Sequence, residues 1–289
     1  MRSPLSTSAA VTAVGVLLLT ACGTQSAGSQ HGTSPRPEAA PYAEKDGVKV
    51  TDWNPDTQRA EFEATNRESE PSTYTVGFAL RTDSGEGLGE ARQTVSAVKP
   101  GQTVKSSVTV SDLHGLPSRA HRVAHVKIAR VRSVPTAEDS SSGGTCPPSG
   151  VRVYADEGDA AMGLRVIGLH LENCGTQTRR LNGYPNVQLL DEAHKPVDGV
   201  KVLQGGSSIA TGTGADGVPQ PLALKPGERA YAGLVWRNTV EAGVGDPVNA
   251  PYVRVRANPG DAPMMVIPEL DLGTTGKVGV GPWKRDSGR

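Results

Sequence analysis

Arg59-Ala60-Glu61-Phe62-Glu63-Ala64-Thr65 places an apolar residue at every second position and a charged or polar one between them. Side chains alternate across a strand with period two, so Ala60, Phe62 and Ala64 share one face while Arg59, Glu61, Glu63 and Thr65 share the other. A segment with this pattern is a half-buried antiparallel strand. A little further on, Thr73 to Leu80 repeats it, with Tyr74, Val76, Phe78 and Leu80 set against Thr73, Thr75, Gly77 and Ala79. The second strand supplies the aromatic part of the same core.

Working outward, Val48 to Trp53, Thr94 to Val98, Val104 to Val110 and Val123 to Val131 have strand length and turn punctuation. Six strands within residues 45–134 predict a small sandwich. Residues 135–145 hold Asp, Ser and Gly with no apolar pattern and are expected to be a linker. A second β-rich set spans 146–283, with strands expected at Val151 to Ala155, Leu164 to Leu171, Asn186 to Leu190, Val197 to Leu203, Ala230 to Arg237, Tyr252 to Arg256, Met264 to Ile267 and Lys277 to Val280; 284–289 is a tail. The run Met264-Met265-Val266-Ile267 lacks polar alternation, so it is expected to be covered on both faces. Both halves share one device: Val98-Lys99-Pro100-Gly101-Gln102 and Leu224-Lys225-Pro226-Gly227-Glu228 each lead into a strand. Proline presets φ and glycine takes the φ > 0 position, which specifies a type II turn. The pair reads either as a trace of duplication or as a turn that recurs generically.

Composition agrees with this architecture. The 289 residues contain 35 Gly and 22 Pro but only 4% aromatics, and no long segment has a helical period. Many short strands joined by tight turns follow. The 30 basic and 30 acidic residues cancel, which weighs against a nucleic-acid binder, a class normally biased basic.

The amino-terminal end carries a different message. Arg2 precedes an apolar run from about Ala9 to Leu19, too short to cross a bilayer but of signal-peptide length. Leu19-Thr20-Ala21-Cys22 resembles the lipobox of bacterial lipoproteins, which implies cleavage before Cys22 and lipid on its thiol; two or more acyl chains anchor stably where one does not. Residues 1–21 are thus expected to be a signal peptide and 22–44 a lipidated, disordered tether of Ser, Thr, Gln, Gly and Pro. As a flexible coil that tether spans about 25 to 30 Å. With Cys22 assigned to lipid, Cys146 and Cys174 remain as a candidate disulfide, which an exported context permits. A two-thiolate metal site is the alternative, and it lacks two further ligands nearby.

Leu169-His170-Leu171-Glu172-Asn173-Cys174-Gly175, Asn182-Gly183-Tyr184-Pro185 and the second Lys-Pro-Gly turn occur in an order that resembles the domain of unknown function numbered forty-two thirty-two, found in actinobacterial exported proteins and lipoproteins. Leu270 to Lys277 and Trp283 resemble one branch of that family. The likeness covers about Cys146 to Trp283 and implies an exported β-sandwich with a cysteine pair; it implies no activity. The first half resembles immunoglobulin-like domains only generically. The expected fold is all-β: two antiparallel immunoglobulin-like sandwiches in tandem after a lipoprotein signal and a flexible tether.

Patterns that carry chemistry are sparse. His121 and His125 form H-x-x-x-H, but on a strand they lie about 13 Å apart, too far to share a metal. Gly212-Thr213-Gly214-Ala215-Asp216-Gly217 has dinucleotide-loop spacing, yet Pro219 and Pro221 follow where a helix is required, so a flexible loop is expected. Asp156, Glu157 and Asp159 lack a calcium-loop ladder and read as a solvated turn. Met264, Met265 and His170 are the residue types of a copper site, but adjacent methionines on a strand face opposite ways. No G-x-S-x-G occurs. The expectation is therefore of no catalytic residue, no bound metal and no cofactor.

One constellation suggests a contact surface. Arg119, Arg122, Lys127, Arg130 and Arg132, with His121 and His125, lie in a stretch free of acidic residues from Leu113 through Ala137. Such a patch suits anionic lipids or wall polymers; equally, Lys and Arg on an edge strand discourage aggregation. The reading that results is a lipid-anchored, non-catalytic binding module on the outer face of the cytoplasmic membrane. Its expected partners are the membrane through the anchor and anionic envelope polymers or another envelope protein, without nucleic acid. A small-ligand or metal-carrying lipoprotein and an envelope hydrolase are the alternatives.

Overall fold

The computed structural model describes residues 44–110, 123–140 and 143–286. The expected signal peptide and tether, Cys22, Arg119, His121 and Arg122 lie outside the described residues. The described chain is all-β, as the alternation predicts.

Seven strands precede Thr136: β1 (Glu44–Lys45), β2 (Val48–Asn54), β3 (Arg59–Thr65), β4 (Ser72–Arg81), β5 (Gly87–Val98), β6 (Thr103–Thr109) and β7 (His125–Pro135). They form two antiparallel sheets, β1-β2-β3-β6 and β5-β4-β7. Ala60, Phe62 and Ala64 of β3 are buried and share one core with Tyr74, Val76, Phe78 and Leu80 of β4. The Phe62 and Phe78 rings lie 5.0 Å apart, tilted by 58°. Such a pair contributes about 1 kcal/mol beyond its buried area.

Strand β7 carries a bulge. Arg130 is opposite Gly77 and Ile128 opposite Phe78, so Ala129 is an extra residue. Its carbonyl accepts a 2.9 Å hydrogen bond from Lys45 Nζ. The extra residue keeps Val126, Ile128 and Val131 all turned to the core, and Lys127, Arg130 and Arg132 all turned away from it.

The rest of the chain forms β8 (Val151–Ala155), β9 (Asp159–Ala161), β10 (Leu164–Asn173), β11 (Arg179–Leu181), β12 (Asn186–Leu190), β13 (Lys201–Gln204), β14 (Leu222–Leu224), β15 (Arg229–Arg237), β16 (Val248–Ala250), β17 (Tyr252–Arg256), β18 (Met264–Val266), β19 (Leu270–Gly273), β20 (Lys277–Val280) and β21 (Lys284–Arg285). The main sheet runs β13-β20-β15-β10-β8, with β9 added to β10 and β21 to β15; β12-β17-β18 form a second sheet over the same core. Met264 and Val266 enter that core, while Met265 faces a separate small cluster with Val134, Leu190 and Tyr252. The apolar run at β18 is thus covered on both faces, as expected.

Two expectations change. Val197 to Leu203 is not one strand: Gly199 turns at φ 75, and only Lys201–Gln204 pairs, in parallel with β20. Pro196 and Asp198-Gly199 break the segment before a ladder can form. The glycine-rich loop, expected to be flexible, lies flat on the main sheet. Ala215 is fully buried against Gly233 and Gly281, where a Cβ on either glycine would strike the loop backbone. Lys284 Nζ fastens it by donating to Gly214 O (3.2 Å) and Asp216 O (2.5 Å).

The two Lys-Pro-Gly turns belong to matching clamps at strand ends. Gly101 and Gly227 have φ 71 and 82, as type II turns require. In the first half, Gly101 N donates to Asn66 O at 2.9 Å and Asn66 N to Gln102 O at 2.9 Å; in the second, Gly227 N donates to Asn173 O at 2.7 Å and Asn173 N to Glu228 O at 3.0 Å. Both asparagine side chains are buried. Asn66 Nδ2 donates to Glu70 O (2.8 Å) and Val98 O (2.7 Å), and Asn173 Nδ2 to Gln177 O (2.8 Å) and Leu224 O (2.8 Å). The residue after each asparagine then straps the strand end to an earlier segment. Arg67 forms an ion pair with Glu44, and Cys174 a disulfide with Cys146.

Candidate functional site

The outer face of the β5-β4-β7 sheet meets the second half along a polar seam. Arg132 donates through Nε and Nη2 to the two carboxylate oxygens of Glu269, at 2.7 and 2.9 Å. That hydrogen bonding makes the guanidinium still harder to deprotonate, against the opposing effect of burial. Glu192 approaches the same guanidinium at 3.5 Å, and the Tyr252 ring lies 6.0 Å below it. Ser133 N donates to Tyr252 Oη at 3.1 Å, and His194 Nε2 donates to Ser133 O at 2.8 Å. The expected linker is docked as well: Glu138 accepts from Arg254 Nε at 2.7 Å, and its carbonyl accepts from Met265 N at 2.8 Å.

Burial and pairing therefore divide the basic run seen in the sequence. Lys127 and His125 are exposed, whereas Arg130 and Arg132 turn towards Glu269, supplied by a segment far along the chain. Strand β7 is an edge strand, and its outward cations are where the edge-protection argument places them.

Above the seam lies a cleft of about 460 Å³. One wall is a single row across the sheet, Arg92–Gly77–Arg130, in which each arginine is paired in register with the glycine. The opposite wall carries Asp156, Glu157 and Glu269. Glu269 stands at φ 55, a left-handed conformation that a glutamate adopts at some cost. Across the cleft, cations thus face acids contributed by the other half.

Behind Asp156 sits His170 of β10. Its Nε2 is 3.2 Å from Asp156 Oδ2 and its Nδ1 is 3.1 Å from Asp286 Oδ2. The ring stacks on Tyr154 at 5.1 Å and meets the edge of Tyr231 at 5.4 Å. The hydrogen bond to Asp156, reinforced by the one to Asp286, raises the His170 pKa above 6.5 although burial opposes it. Burial acts to raise the Asp156 pKa, but the hydrogen bonds from His170 and the Gly168 amide leave it below 3.8. Gly168 is required here, because a Cβ would collide with Asp156 and Tyr231. With both ring nitrogens facing carboxylates, His170 is a clasp between β10 and the segment after β21. Met264 and Met265 point into the two cores, so the candidate copper ligands are not brought together.

Cys146 and Cys174 are joined, with Cα atoms 5.6 Å apart, and the two-thiolate metal alternative is overturned. Sequence reasoning missed Glu90, Arg92 and Glu269. The one local signal was Gly77 inside an otherwise regular strand, a position that marks close approach of another group.

The cysteine pair, the Gly-Tyr-Pro segment and the second clamp all lie within one matched region. A DUF4232 domain is found at residues 146–284. Its family is described as a domain of unknown function, so the DUF4232 match brings no chemistry with it. No curated protein matches the chain. Among solved structures, a protein named as a beta-galactosidase from Bacteroides fragilis is similar at 13% identity and a TM-score of 0.26, over 75% of this chain. The chain spans 33% of that protein's length, and so loose a superposition carries neither fold nor activity across.

Proposed function

We propose that this chain is an exported, lipid-anchored envelope protein that acts by binding rather than by catalysis, on the outer face of the cytoplasmic membrane. The observation that carries the proposal is the disposition of its cysteines. Cys146 and Cys174 are joined to each other, which suits an oxidising compartment, and Cys22 is left at the end of an apolar leader in a lipobox-like setting. The cleft between oppositely charged walls supports a binding role, since pockets that gather polar groups at the junction of two packed units are where small partners are usually held. It favours the small-ligand alternative over a bare contact surface. Anionic envelope components and a second envelope protein are the partner classes that exposed Lys127 and the cleft arginines would suit.

Expression of the full chain and of Cys22→Ala in a host with lipoprotein processing tests the anchor. The wild type should partition into the membrane fraction and gain the mass of acyl chains, and the variant should appear in the soluble extracytoplasmic fraction. A Cys22→Ala protein that sediments with membranes as the wild type does would overturn it.

A further inference from the structure

Gly77 is the residue around which the cleft wall is built, and the group lying over it is a carboxylate. Glu90 is two residues along β5 from Arg92, opposite Ala79, yet its side chain leans back so that a Cβ on Gly77 would run into its carboxylate. There, among the described residues, it accepts one 3.3 Å hydrogen bond, from Arg92 Nε. On the other side of Gly77, Arg130 makes no hydrogen bond among the described residues, and its nearest acid is Glu269 at 3.6 Å, whose oxygens are already taken by Arg132. Arg130 is also 38% exposed, so it is open to the cleft. The Glu90 carboxylate thus lies over Gly77, tied to Arg92 alone, on a row whose other flank is Arg130.

Guanidinium groups bind carboxylates best in bidentate pairs. We infer that the notch between Arg92 and Arg130 is a binding site for the carboxylate of a small ligand, and that Glu90 is a resident stand-in for it which the ligand displaces. Across the cleft, Glu157 has no ion-pair partner among the described residues and is exposed. It accepts the ammonium or N–H end of the same ligand. A short peptide end, with a carboxylate and N–H donors a few bonds apart, satisfies both walls; a simple anion satisfies one. The inference rests on the reading of the protein as a binder, and it is independent of the lipid anchor.

Titration of the purified full chain with three probes tests it: glycylglycine, N-acetylglycine and glycinamide, each against chloride at equal ionic strength. Glycylglycine should bind most tightly, N-acetylglycine more weakly, and glycinamide no better than the salt control. Glu90→Gln keeps the shape of the side chain but removes the competing charge, and should tighten glycylglycine binding about tenfold. Arg130→Gln should abolish binding while leaving the unligated melting temperature close to that of the wild type. In the wild type, the carbon resonance of the Glu90 carboxylate should move as glycylglycine saturates. The inference is overturned if Glu90→Gln binds no better than wild type, if glycinamide binds as well as glycylglycine, or if the Glu90 resonance stays fixed. Failure of the lipid anchor would show only in the fractionation of Cys22→Ala, so the two outcomes are separable.

Discussion

The clamp at Asn66 and the clamp at Asn173 use the same buried amide, the same turn and the same backbone hydrogen bonds, but they are strapped differently. The first is closed by the Arg67–Glu44 ion pair, with side chains 65% and 45% exposed, and the second by a covalent bond between residues 28 apart. An exposed ion pair is screened by water and contributes about 1 kcal/mol at most. A disulfide closing a loop of that length contributes about 3 to 4 kcal/mol in the chain-entropy view. One strand end therefore answers to salt, and the other to reductant.

The largest expected effect tests that contrast directly. Replacing Cys146 and Cys174 by serine should lower stability by about 3 to 4 kcal/mol, while Arg67→Gln should cost under about 1 kcal/mol. Trp236 and Trp283 report the second half and Trp53 the first, so denaturant titration by fluorescence of single-tryptophan versions resolves which half responds. Equal losses from the two replacements would break the comparison.

Next in size are the asparagines, where the two halves should agree. Asn66→Ala removes both donors to the Glu70 and Val98 carbonyls, and Asn173→Ala both donors to the Gln177 and Leu224 carbonyls. Leaving buried acceptors unpaired costs about 2 to 3 kcal/mol at each site. Amide hydrogen exchange should accelerate along β3 in one variant and along β10 in the other. A change confined to one of them would show that the resemblance of the clamps is superficial.

The smallest effect belongs to the clasp, for which the first half has no counterpart. His170 has a raised pKa, so its contribution is complete below its unfolded value of 6.5 and is lost as pH rises through the higher folded value. Asp156 has a lowered pKa, so its contribution is present above 3.8 and is lost as pH falls through its depressed folded value. Between these limits a charged imidazole bridges two carboxylates; above them a neutral ring must turn an unprotonated nitrogen towards one of them. The melting temperature should therefore decline from pH 6 to pH 9 by more in the wild type than in His170→Gln. Parallel profiles would sink this account.

Much of the architecture was readable locally. The two-residue alternation of β3 and β4, the covered run at β18 and the type II turns needed only neighbouring residues to specify them. Strands of two to four residues, such as β11, β14 and β21, were not readable, because so few residues set up no periodicity and their ladders are fixed by partners elsewhere. Leu222–Leu224 is a strand because Arg179–Leu181 pairs with it. The cleft was illegible for the same reason: Arg132 meets Glu269 across 137 residues of sequence. In the described part of the stretch without acids, Arg130 and Arg132 are paired with Glu269 from far along the chain, and Lys127 stays exposed.

The bulge at Ala129 sets which changes of length this strand tolerates. Because alternation has a period of two, drawing Ala129 itself into a regular ladder would exchange the faces of everything on one side of it, with Arg130 and Arg132 driven into the core and Val131 out towards the cleft. Deleting Ala129 would instead leave a regular ladder in which Ile128 and Val131 still face the core and Arg130 and Arg132 still face away from it. Homologues that lack that one residue would therefore keep the polar junction without any compensating substitution in the cleft itself.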